Sequence, residues 1–203
     1  MDIENALDRT HMPAAYKQFF SLEEKLVQKE CVGTILDIGC GTAQISNHIS
    51  PEHVYVGLDT KIYLPRRGNL GESNELRYLI NADAAYASTM FGRYSFDTVL
   101  CLGNTLGVLE DPDTVLRQIG LVARRKAIIT AMRKGVLDER VKYYEQMGIP
   151  YEIGDDETIH SPVWGRSRAY TLEEERSLER IIGMKMTGAG NLGTIGLYGV
   201  FTR

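Results

Sequence analysis

The residues best suited to chemistry form a short loop at the end of an apolar run. Residues 37–43 (Asp-Ile-Gly-Cys-Gly-Thr-Ala) place an acid and two alternating glycines where a buried strand at 34–38 turns into a helix. Glycine permits the tight turn and lets a ligand approach the backbone without meeting a Cβ atom. In an open parallel sheet, ligands bind in the crevice beyond the carboxyl ends of the strands. The loop therefore predicts a ligand site, with Asp37 aimed into the crevice.

The charge of this loop bears on the kind of ligand. The dinucleotide fingerprint G-x-G-x-x-G has glycine where Gln44 stands here, and an acid precedes the first glycine of this chain. A carboxylate beside a helix N-terminus repels a pyrophosphate and attracts a cation. Asp37 thus favours a cationic ligand over NAD, although an aspartate at such a turn could also serve as the helix cap.

Several segments, taken in order, resemble the motifs of class I methyltransferases that use S-adenosylmethionine. The loop resembles their motif I, with Ala43 where the family commonly has glycine. Asp59 ends the next apolar run about 20 residues later, and in the family such an acid holds both ribose hydroxyls. Residues 81–84 resemble the adenine-binding turn, in which Asp83 accepts from the exocyclic amine and the Ala84 amide faces the ring. Residues 96–101 resemble the fourth-strand motif, whose following loop lies beside the reacting methyl group.

The resemblance implies S-adenosylmethionine as cofactor and indicates which residues bind it. Those on the sheet are Asp37, Gly39, Cys40, Gly41, Asp59, Thr60, Asp83, Ala84 and Leu102. The spacing of Tyr16 is typical of the apolar stripe that packs an N-terminal helix against the core. The resemblance implies a second possibility, in which Tyr16 lies over the sulfonium in a cation–π contact. Cys40 and Cys101 are interpreted as small core side chains, because no histidine adjoins either.

The segments around residues 103–105 and 168–174 resemble small-molecule N-methyltransferases of the glycine and sarcosine kind. Nucleic-acid enzymes that methylate exocyclic amines usually carry Pro-Pro and an aromatic residue after an Asp or Asn, whereas Thr105 and Leu106 follow Asn104 here. The resemblance therefore implies a small-molecule acceptor, an amine. Asn104 is expected to be either a turn residue or a substrate contact.

Trp164, Arg166 and Arg168 lie in a segment that mixes strand-forming and polar residues. They could be ordinary surface residues of a strand, or an aromatic ring beside a fork of positive charge could hold a carboxylate substrate. Arg168 is the preferred member. The predicted substrate residues are Asn104, Trp164 and Arg168.

No residue is assigned a catalytic role, and no metal is expected. Methyl transfer from a sulfonium is an in-line displacement on an activated carbon, so the main requirement is alignment, which can supply about 7–11 kcal/mol. The sequence Asp111-Pro112-Asp113 invites a metal interpretation. The same three residues are typical of the start of a helix, which often has an acidic N-cap, proline at the first helical position and an acid in the first turn.

Short apolar runs alternate with helix-length segments along the chain. A helix at 14–30 precedes strands at 34–38, 54–58, 76–80, 96–102, 126–131 and 194–201, and helices are predicted at 42–50, 84–90, 111–123, 136–147 and 171–182. This pattern predicts an α/β fold with a Rossmann-like, doubly wound, mostly parallel seven-stranded sheet and an antiparallel C-terminal strand. We expect residues 1–203 to form a single domain, with an N-terminal helical cap at 1–32 and a small β-hairpin insertion near 151–170.

Composition limits the class of protein. The 203 residues carry 23 Lys plus Arg and 27 Asp plus Glu, a formal net charge of −4. The negative net charge argues against a protein that binds nucleic acid by neutralising many phosphates. The basic runs at 66–67 and 124–126 are too short to form the positive surface that such binding needs. Apolar runs fall far below the roughly 18–20 residues of a membrane span, and residues 1–10 do not resemble a signal peptide. An odd count of three cysteines without a CxxC pair fits a reducing compartment, so a cytoplasmic location is expected.

Other functions stay open at this point. They are a methyltransferase acting on protein or RNA, a protein that binds S-adenosylmethionine without turnover, and a nicotinamide oxidoreductase, against which Asp37 and Gln44 argue. The oligomeric state is also open, a homodimer included. The glycine-rich segment at 188–193 has no assigned role.

Overall fold

A mixed seven-stranded sheet lies at the centre of the computed structural model, which describes residues 9–61 and 76–203. In chain order the strands are β1 (Thr34–Ile38), β2 (Val54–Asp59), β3 (Arg77–Asn81), β4 (Phe96–Cys101), β5 (Ala123–Met132), β6 (Glu152–Ile153), β7 (Ile159–Ser161), β8 (Gly165–Ser167), β9 (Lys185–Leu192) and β10 (Gly196–Thr202). The central sheet has the order β3-β2-β1-β4-β5-β10-β9, and β6, β7 and β8 form a separate antiparallel sheet. Strands β1 to β5 pair in parallel, whereas β10 runs antiparallel to both neighbours. The predicted doubly wound, mostly parallel sheet is confirmed.

Six α-helices accompany the strands in the described residues. They are α1 (Ala14–Glu30), α2 (Ala87–Phe91), α3 (Thr105–Val108), α4 (Pro112–Val122), α5 (Leu137–Gln146) and α6 (Leu172–Ile182). Asp111 caps α4 as predicted, because its side chain accepts from the Thr114 amide at 3.1 Å. Helix α6 begins with the predicted capping box, in which Thr171 and Glu174 exchange side-chain to backbone hydrogen bonds. Among the helices of the described segments, none is long and apolar enough to cross a membrane.

Two predicted helices are interrupted or shorter in the structure. In the segment 42–50 only a 3₁₀ turn forms, at Gln44–His48, because Ala43 before it has a φ of +54° that a regular helix cannot continue through. The segment 84–90 divides into a 3₁₀ turn at Ala84–Tyr86 and the short helix α2. The prediction of one continuous helix was wrong in both places, and the turn after β1 is a tight loop.

Two other segments also differ from the prediction. The insertion at 151–170 contains the predicted hairpin, formed by β7 and β8, and the two residues of β6 add a third strand to it. The glycine-rich segment at 188–193 lies largely in β9, an edge strand that the sequence analysis did not locate. Gly190 pairs with Tyr198 of β10, where a Cβ atom would lie 3.1 Å from the tyrosine ring. The glycine therefore makes room for the Tyr198 side chain.

Helices pack on both faces of the sheet. Leu36 of β1 belongs to the core on the side of α4 and α6, whereas Ile35 packs in a second cluster that contains Val27 of α1. Since side chains alternate along a strand, Asp37 points to the α1 side, like Ile35. Helix α1 forms most of the described part of the predicted cap at 1–32. Residues 1–8 of that cap and the basic pair at 66–67 lie outside the described residues.

Helix α6 buries an acid. Glu175 is 1% exposed, and neither of its carboxyl oxygens has a hydrogen-bond partner among the described residues. Burial raises the pKa of Glu175 from 4.5 to about 8. A buried carboxyl that is neutral costs less than one that is ionised without a partner, so the folded protein holds this proton at neutral pH.

We predict that Glu175 makes the protein less stable as the pH rises. The unfolded chain releases this proton near pH 4.5 and the folded chain near pH 8, so stability falls across that window, by up to about 1.4 kcal/mol per pH unit from this group. Glu175→Gln should match the original protein at pH 5 and exceed it by roughly 1–3 kcal/mol at pH 8.5. Urea unfolding at both pH values measures this. Glu173→Gln, on the exposed side of the same helix, is the matched control, and equal pH profiles for both variants would contradict the prediction.

Candidate active site

The loop after β1 turns through two glycines in left-handed conformations. Gly39 and Gly41 have φ values of +74° and +52°, a region that residues with a Cβ adopt only at a cost. A Cβ atom at Gly39 would collide with the Thr105 side chain, whereas nothing lies within 4 Å of the Cβ position at Gly41. Ala43 is left-handed as well, which gives a physical reason for the family's usual glycine at this place. The loop therefore presents open backbone at Gly41.

The Asp59 carboxylate lies at the end of β2 and is bonded to the glycine loop. Its Oδ2 accepts from the Gly41 amide at 2.9 Å, and its Oδ1 accepts from the Lys61 amide at 2.9 Å. A carboxylate offers about four lone-pair sites, so each oxygen keeps one for a ligand. The two backbone bonds fix the orientation of the carboxylate.

The turn after β3 carries a second acid. Asp83 begins the 3₁₀ turn there by accepting from the Ala85 amide at 2.8 Å through Oδ1. The Asp83 side chain is exposed, and Ala84 beside it is buried. The ends of β1, β2 and β3 thus meet around one opening.

These loops border a cavity of about 940 Å³. One side, which we call the sheet wall, consists of Ile38, Gly39, Gly41, residues 58–61, 82–85, 103–105 and 108–111, Thr114, Val115 and Met132. The other side, the cap wall, consists of Met12, Tyr16, Phe20, Tyr143, Tyr144, residues 162–165 and Ser167. Small-molecule sites have volumes of roughly 300–1,000 Å³, so the cavity lies at the upper end of the size range of a small-molecule site.

The structure brings most of the predicted site residues to this cavity. Those that border it are Tyr16, Gly39, Gly41, Asp59, Thr60, Asp83, Ala84, Asn104 and Trp164. Asp37, Cys40, Leu102 and Arg168 do not border it.

Asp37 lies beneath the glycine loop. It is 3% exposed, and its Oδ2 accepts from the Tyr55 hydroxyl at 2.7 Å. Burial raises the pKa of Asp37 to about 7, the hydrogen bond from Tyr55 opposes this, and the charges of Glu23 and Asp59 add to it. The expectation that Asp37 points into the crevice was wrong, because the alternation along β1 turns its side chain toward α1.

Cys40 and Leu102 also turn their side chains away from the cavity. The Cys40 sulfur lies against β2, 2.8 Å from where a Cβ atom of Gly57 would be, and burial raises the pKa of its thiol. Leu102 is buried in the cluster that includes Val27, and its carbonyl accepts from the Thr105 amide at 2.9 Å. These two residues therefore lie beside the cavity without bordering it, and their contact with a cofactor stays a prediction. All three cysteines are free thiols.

Asn104 holds the loop after β4 with both ends of its amide. Its Oδ1 accepts from the Met132 amide at 2.9 Å, and its Nδ2 donates to the Ser167 hydroxyl at 3.1 Å. The residue is 4% exposed and has a φ of +67°, a region in which asparagine is enriched. The amide therefore joins the loop to the end of β5 and to β8. A substrate contact by Asn104 stays a prediction.

Tyr16 is both a core residue of α1 and part of the cap wall. Its hydroxyl donates to the Arg140 carbonyl at 3.1 Å, and its ring stacks on Tyr143 with centroids 4.9 Å apart. Tyr144 meets the Tyr143 ring edge to face at 5.4 Å. Burial raises the pKa of Tyr16 above its ordinary value, so its hydroxyl stays protonated. The sequence analysis did not single out Tyr143 and Tyr144, although two adjacent tyrosines in a helix were a visible signal.

Trp164 and Arg168 lie in different surroundings. Trp164 borders the cavity from the connection between β7 and β8. The Arg168 guanidinium pairs with Glu174 at 2.5 Å and lies 4.6 Å from the centre of the Tyr170 ring. The structure thus places Arg168 off the cavity and against Glu174, and its contact with a carboxylate substrate stays a prediction.

A buried acid that the sequence analysis missed ties α1 to the loop after β4. The Glu23 Oε1 accepts from the Gly103 amide at 2.8 Å and from the Thr130 hydroxyl. Burial raises the pKa of Glu23, and these hydrogen bonds oppose the shift. The available signal was its position in the apolar stripe of α1, one helical turn from both Phe19 and Val27.

Solved structures with a similar fold include methyltransferases. One is the 1,6-didemethyltoxoflavin-N1-methyltransferase of Burkholderia thailandensis, solved with 1,6-didemethyltoxoflavin and S-adenosylhomocysteine. It has a TM-score of 0.70 at 15% sequence identity, and the match covers 99% of this chain and 83% of that enzyme. Magnesium protoporphyrin IX methyltransferase of Synechocystis, with bound S-adenosylhomocysteine, has a TM-score of 0.68 at 15% identity over 99% and 92%. An S-adenosylmethionine-dependent methyltransferase of Clostridium acetobutylicum has a TM-score of 0.61 at 13% identity over 98% and 96%.

No protein-family model matches the chain, and no curated protein matches it in sequence. The strand order and the structural neighbours agree. This chain has the class I methyltransferase fold. The methyltransferase fold accounts for the position of the cavity, which lies at the carboxyl ends of β1 and β4, where the strand order reverses.

We predict that Asn104 positions the loop after β4. Asn104→Ala removes the partner of the buried Met132 amide and places alanine in a left-handed conformation, so stability should fall by about 2–3 kcal/mol. Chemical unfolding at neutral pH measures this change. Asn191→Ala, at an exposed position of β9, is the matched control and should change stability by less than about 0.5 kcal/mol. Equal stabilities of the two variants would show that the amide does not hold the loop.

Proposed function

We propose that the protein transfers a methyl group from S-adenosylmethionine to a small-molecule amine. The observation that carries this proposal is the bond between the open glycine loop and the acid that ends β2. The Gly41 amide donates to Asp59 beside the point where the strand order reverses. That point is where doubly wound folds bind nucleotide-like ligands, and two structural neighbours bind S-adenosylhomocysteine.

In this proposal the sheet wall binds the cofactor. Asp59 accepts from the two ribose hydroxyls with its remaining lone pairs, and Thr60 lies next to it. Asp83 accepts from the exocyclic amine of adenine, and the Ala84 amide faces the ring. Gly39 lines the cavity, and the open backbone at Gly41 lets the amino-acid part approach closely. Tyr16, on the cap wall, is proposed to face the sulfonium.

The charges of the site support a cationic ligand. The sheet wall carries four acids, Asp59, Asp83, Glu110 and Asp111, and one base, Lys61. A sulfonium and an ammonium group are attracted by this potential, and the pyrophosphate of a dinucleotide is repelled by it. The balance of charge therefore favours S-adenosylmethionine over a nicotinamide cofactor.

When bound, S-adenosylmethionine supplies a methyl group whose bond to sulfur breaks, leaving its electron pair on sulfur, as the lone pair of an uncharged acceptor nitrogen forms the new bond. The chain's own contribution is alignment. Asn104 and Glu23 fix the loop at 103–105 from two sides, as described above. The aromatic cap wall keeps water from the reacting groups. Asp37, Cys40 and Leu102 support these loops from beneath, and we propose no catalytic acid or base.

Several wider points belong to the same proposal. Residues 1–203 act as one methyltransferase domain, and the described part of the cap at 1–32 and the insertion at about 150–170 lie across the cavity from the sheet wall. A cytoplasmic location is consistent with the three free cysteines. A protein or RNA acceptor, or binding without turnover, are the alternatives. Nothing in the fold favours a particular oligomeric state.

We predict that Asp59 is required for cofactor binding. Asp59→Asn keeps the size of the side chain but removes its charge, so the affinity for S-adenosylmethionine should fall at least about tenfold, the loss expected for charge-assisted hydrogen bonds. Isothermal calorimetry measures the change. Asp113→Asn makes the same substitution on α4 away from the cavity and should bind as the original protein does. Unchanged affinity of Asp59→Asn, or binding of NAD in place of S-adenosylmethionine, would refute the proposed function.

We also predict that methyl transfer is independent of metal. Within residues 9–61 and 76–203, no three His, Cys, Asp or Glu side chains are grouped so that they could hold a metal ion. Because transfer from an activated sulfonium chiefly requires alignment of donor and acceptor, formation of S-adenosylhomocysteine should be the same with added Mg²⁺ and with EDTA. A rate that depends on Mg²⁺ would contradict this part of the mechanism.

A further inference from the structure

The cap wall is lined by aromatic rings. Tyr16 and Tyr143 are stacked, Tyr144 completes an edge-to-face pair with Tyr143, and Trp164 borders the same space. Tyr16, Tyr143 and Tyr144 are each less than 9% exposed, so this end of the cavity lies deep in the fold. Aromatic rings pack favourably against other rings and attract cations to their faces.

No side chain of the cap wall is charged. The charged side chains that border the cavity all belong to the sheet wall, where Lys61 is the one base among the described residues. The Lys61 amide donates to Asp59, so this lysine belongs to the end of the cavity that we assign to the ribose. An acceptor bound against the rings therefore meets no cation from the described residues.

Several arginines around the cap wall do not border the cavity. The Arg9 guanidinium lies 4.4 Å from the centre of the Phe20 ring and pairs with Glu24. Arg166 of β8 does not border the cavity either.

Arg140 on α5 is fully buried and donates to the carbonyl oxygens of Glu157 and Ser167 at 2.8 Å and 2.7 Å. Arg168 is held by Glu174, as described above. Neither arginine borders the cavity. Burying a carboxylate without a charged partner costs several kcal/mol, so a carboxylate acceptor is disfavoured at this wall.

We propose that the methyl acceptor is an amine that carries an aromatic ring and no carboxylate. This inference rests on the proposed function and adds the chemical class of its substrate. The ring packs against the tyrosines and Trp164, and the amine points to the sheet wall, where the acids attract its protonated form. The ammonium group gives its proton to solvent water as it enters the cavity, which frees the nitrogen lone pair for methyl transfer. This differs from the glycine-like and sarcosine-like acceptors that the sequence resemblance implies, since both of those carry a carboxylate.

Matched pairs of ligands test the proposal. Tyramine and tyrosine share a ring and an amine and differ in the carboxylate, and tryptamine and tryptophan form a second pair. With S-adenosylhomocysteine bound to saturation, calorimetry should show each amine binding at least tenfold more tightly than its amino acid. Butylamine, which lacks the ring, should bind at least fivefold more weakly than tyramine.

The outcomes separate the two proposals. If S-adenosylhomocysteine itself does not bind, the proposed function fails, and this inference fails with it. If it binds but the amino acids bind as tightly as the amines, or none of the four aromatic ligands binds at millimolar concentration, the proposed function stands and the acceptor class is wrong.

A change of charge on the cap wall provides a second test. Val163→Arg adds a cation beside Trp164 and should shift the ratio of tyrosine to tyramine affinity at least tenfold toward tyrosine, whereas Val163→Gln, a similar but uncharged change, should not. Arg168→Leu should leave the ratio unchanged, because Arg168 lies off the cavity. Loss of tyrosine binding in Arg168→Leu would show that this arginine reaches the acceptor and would overturn the proposal.

Discussion

The hydrogen bond from the Gly41 amide to the Asp59 carboxylate determines the shape of the ligand end of the sheet. It requires the chain to turn immediately after β1, which only the left-handed residues of the loop allow. The turn leaves the backbone at Gly41 open and directs a carboxylate along the same edge. The strand order then matters, because β1 lies between β2 and β4 and the loops after all three meet at this edge.

Buried polar side chains join the cap to this edge. Glu23 of α1 accepts from the Gly103 amide, and Asn104 links the same loop to β5 and to Ser167 of the insertion. Tyr16 and Arg140 connect α1 with α5, and Arg140 in turn bonds to β8. Each of these contacts places a polar group where water is excluded, so losing one partner costs the full desolvation of the other. The aromatic wall is therefore held in place by hydrogen bonds beside it and not by ring packing alone.

Local sequence patterns predicted the elements that depend on local chemistry. Helix α1, strand β1 and the capping box of α6 follow from periodicity and end signals, and the structure confirms them. The edge strand β9 was missed because its glycines are explained only by a cross-strand partner, Tyr198. For the site, Gly41, Asp59 and Asp83 could be placed because each ends a strand or follows one directly. The surroundings of Arg168 could not be predicted, because its ion pair with Glu174 depends on how the residues after β8 pack against the start of α6.

The two walls of the cavity differ in the charges and the rings that they present to a ligand. Asp37 and Glu23 lie behind the glycine loop, and burial raises the pKa of both acids because it disfavours their charged forms. The acids that make the cavity attractive to positive charge are therefore those of the sheet wall. The cap wall adds rings but no cation. A ligand pair suited to both walls therefore has a sulfonium donor on one side and an acceptor without negative charge on the other, since a carboxylate would be repelled by the first wall and left unpaired by the second.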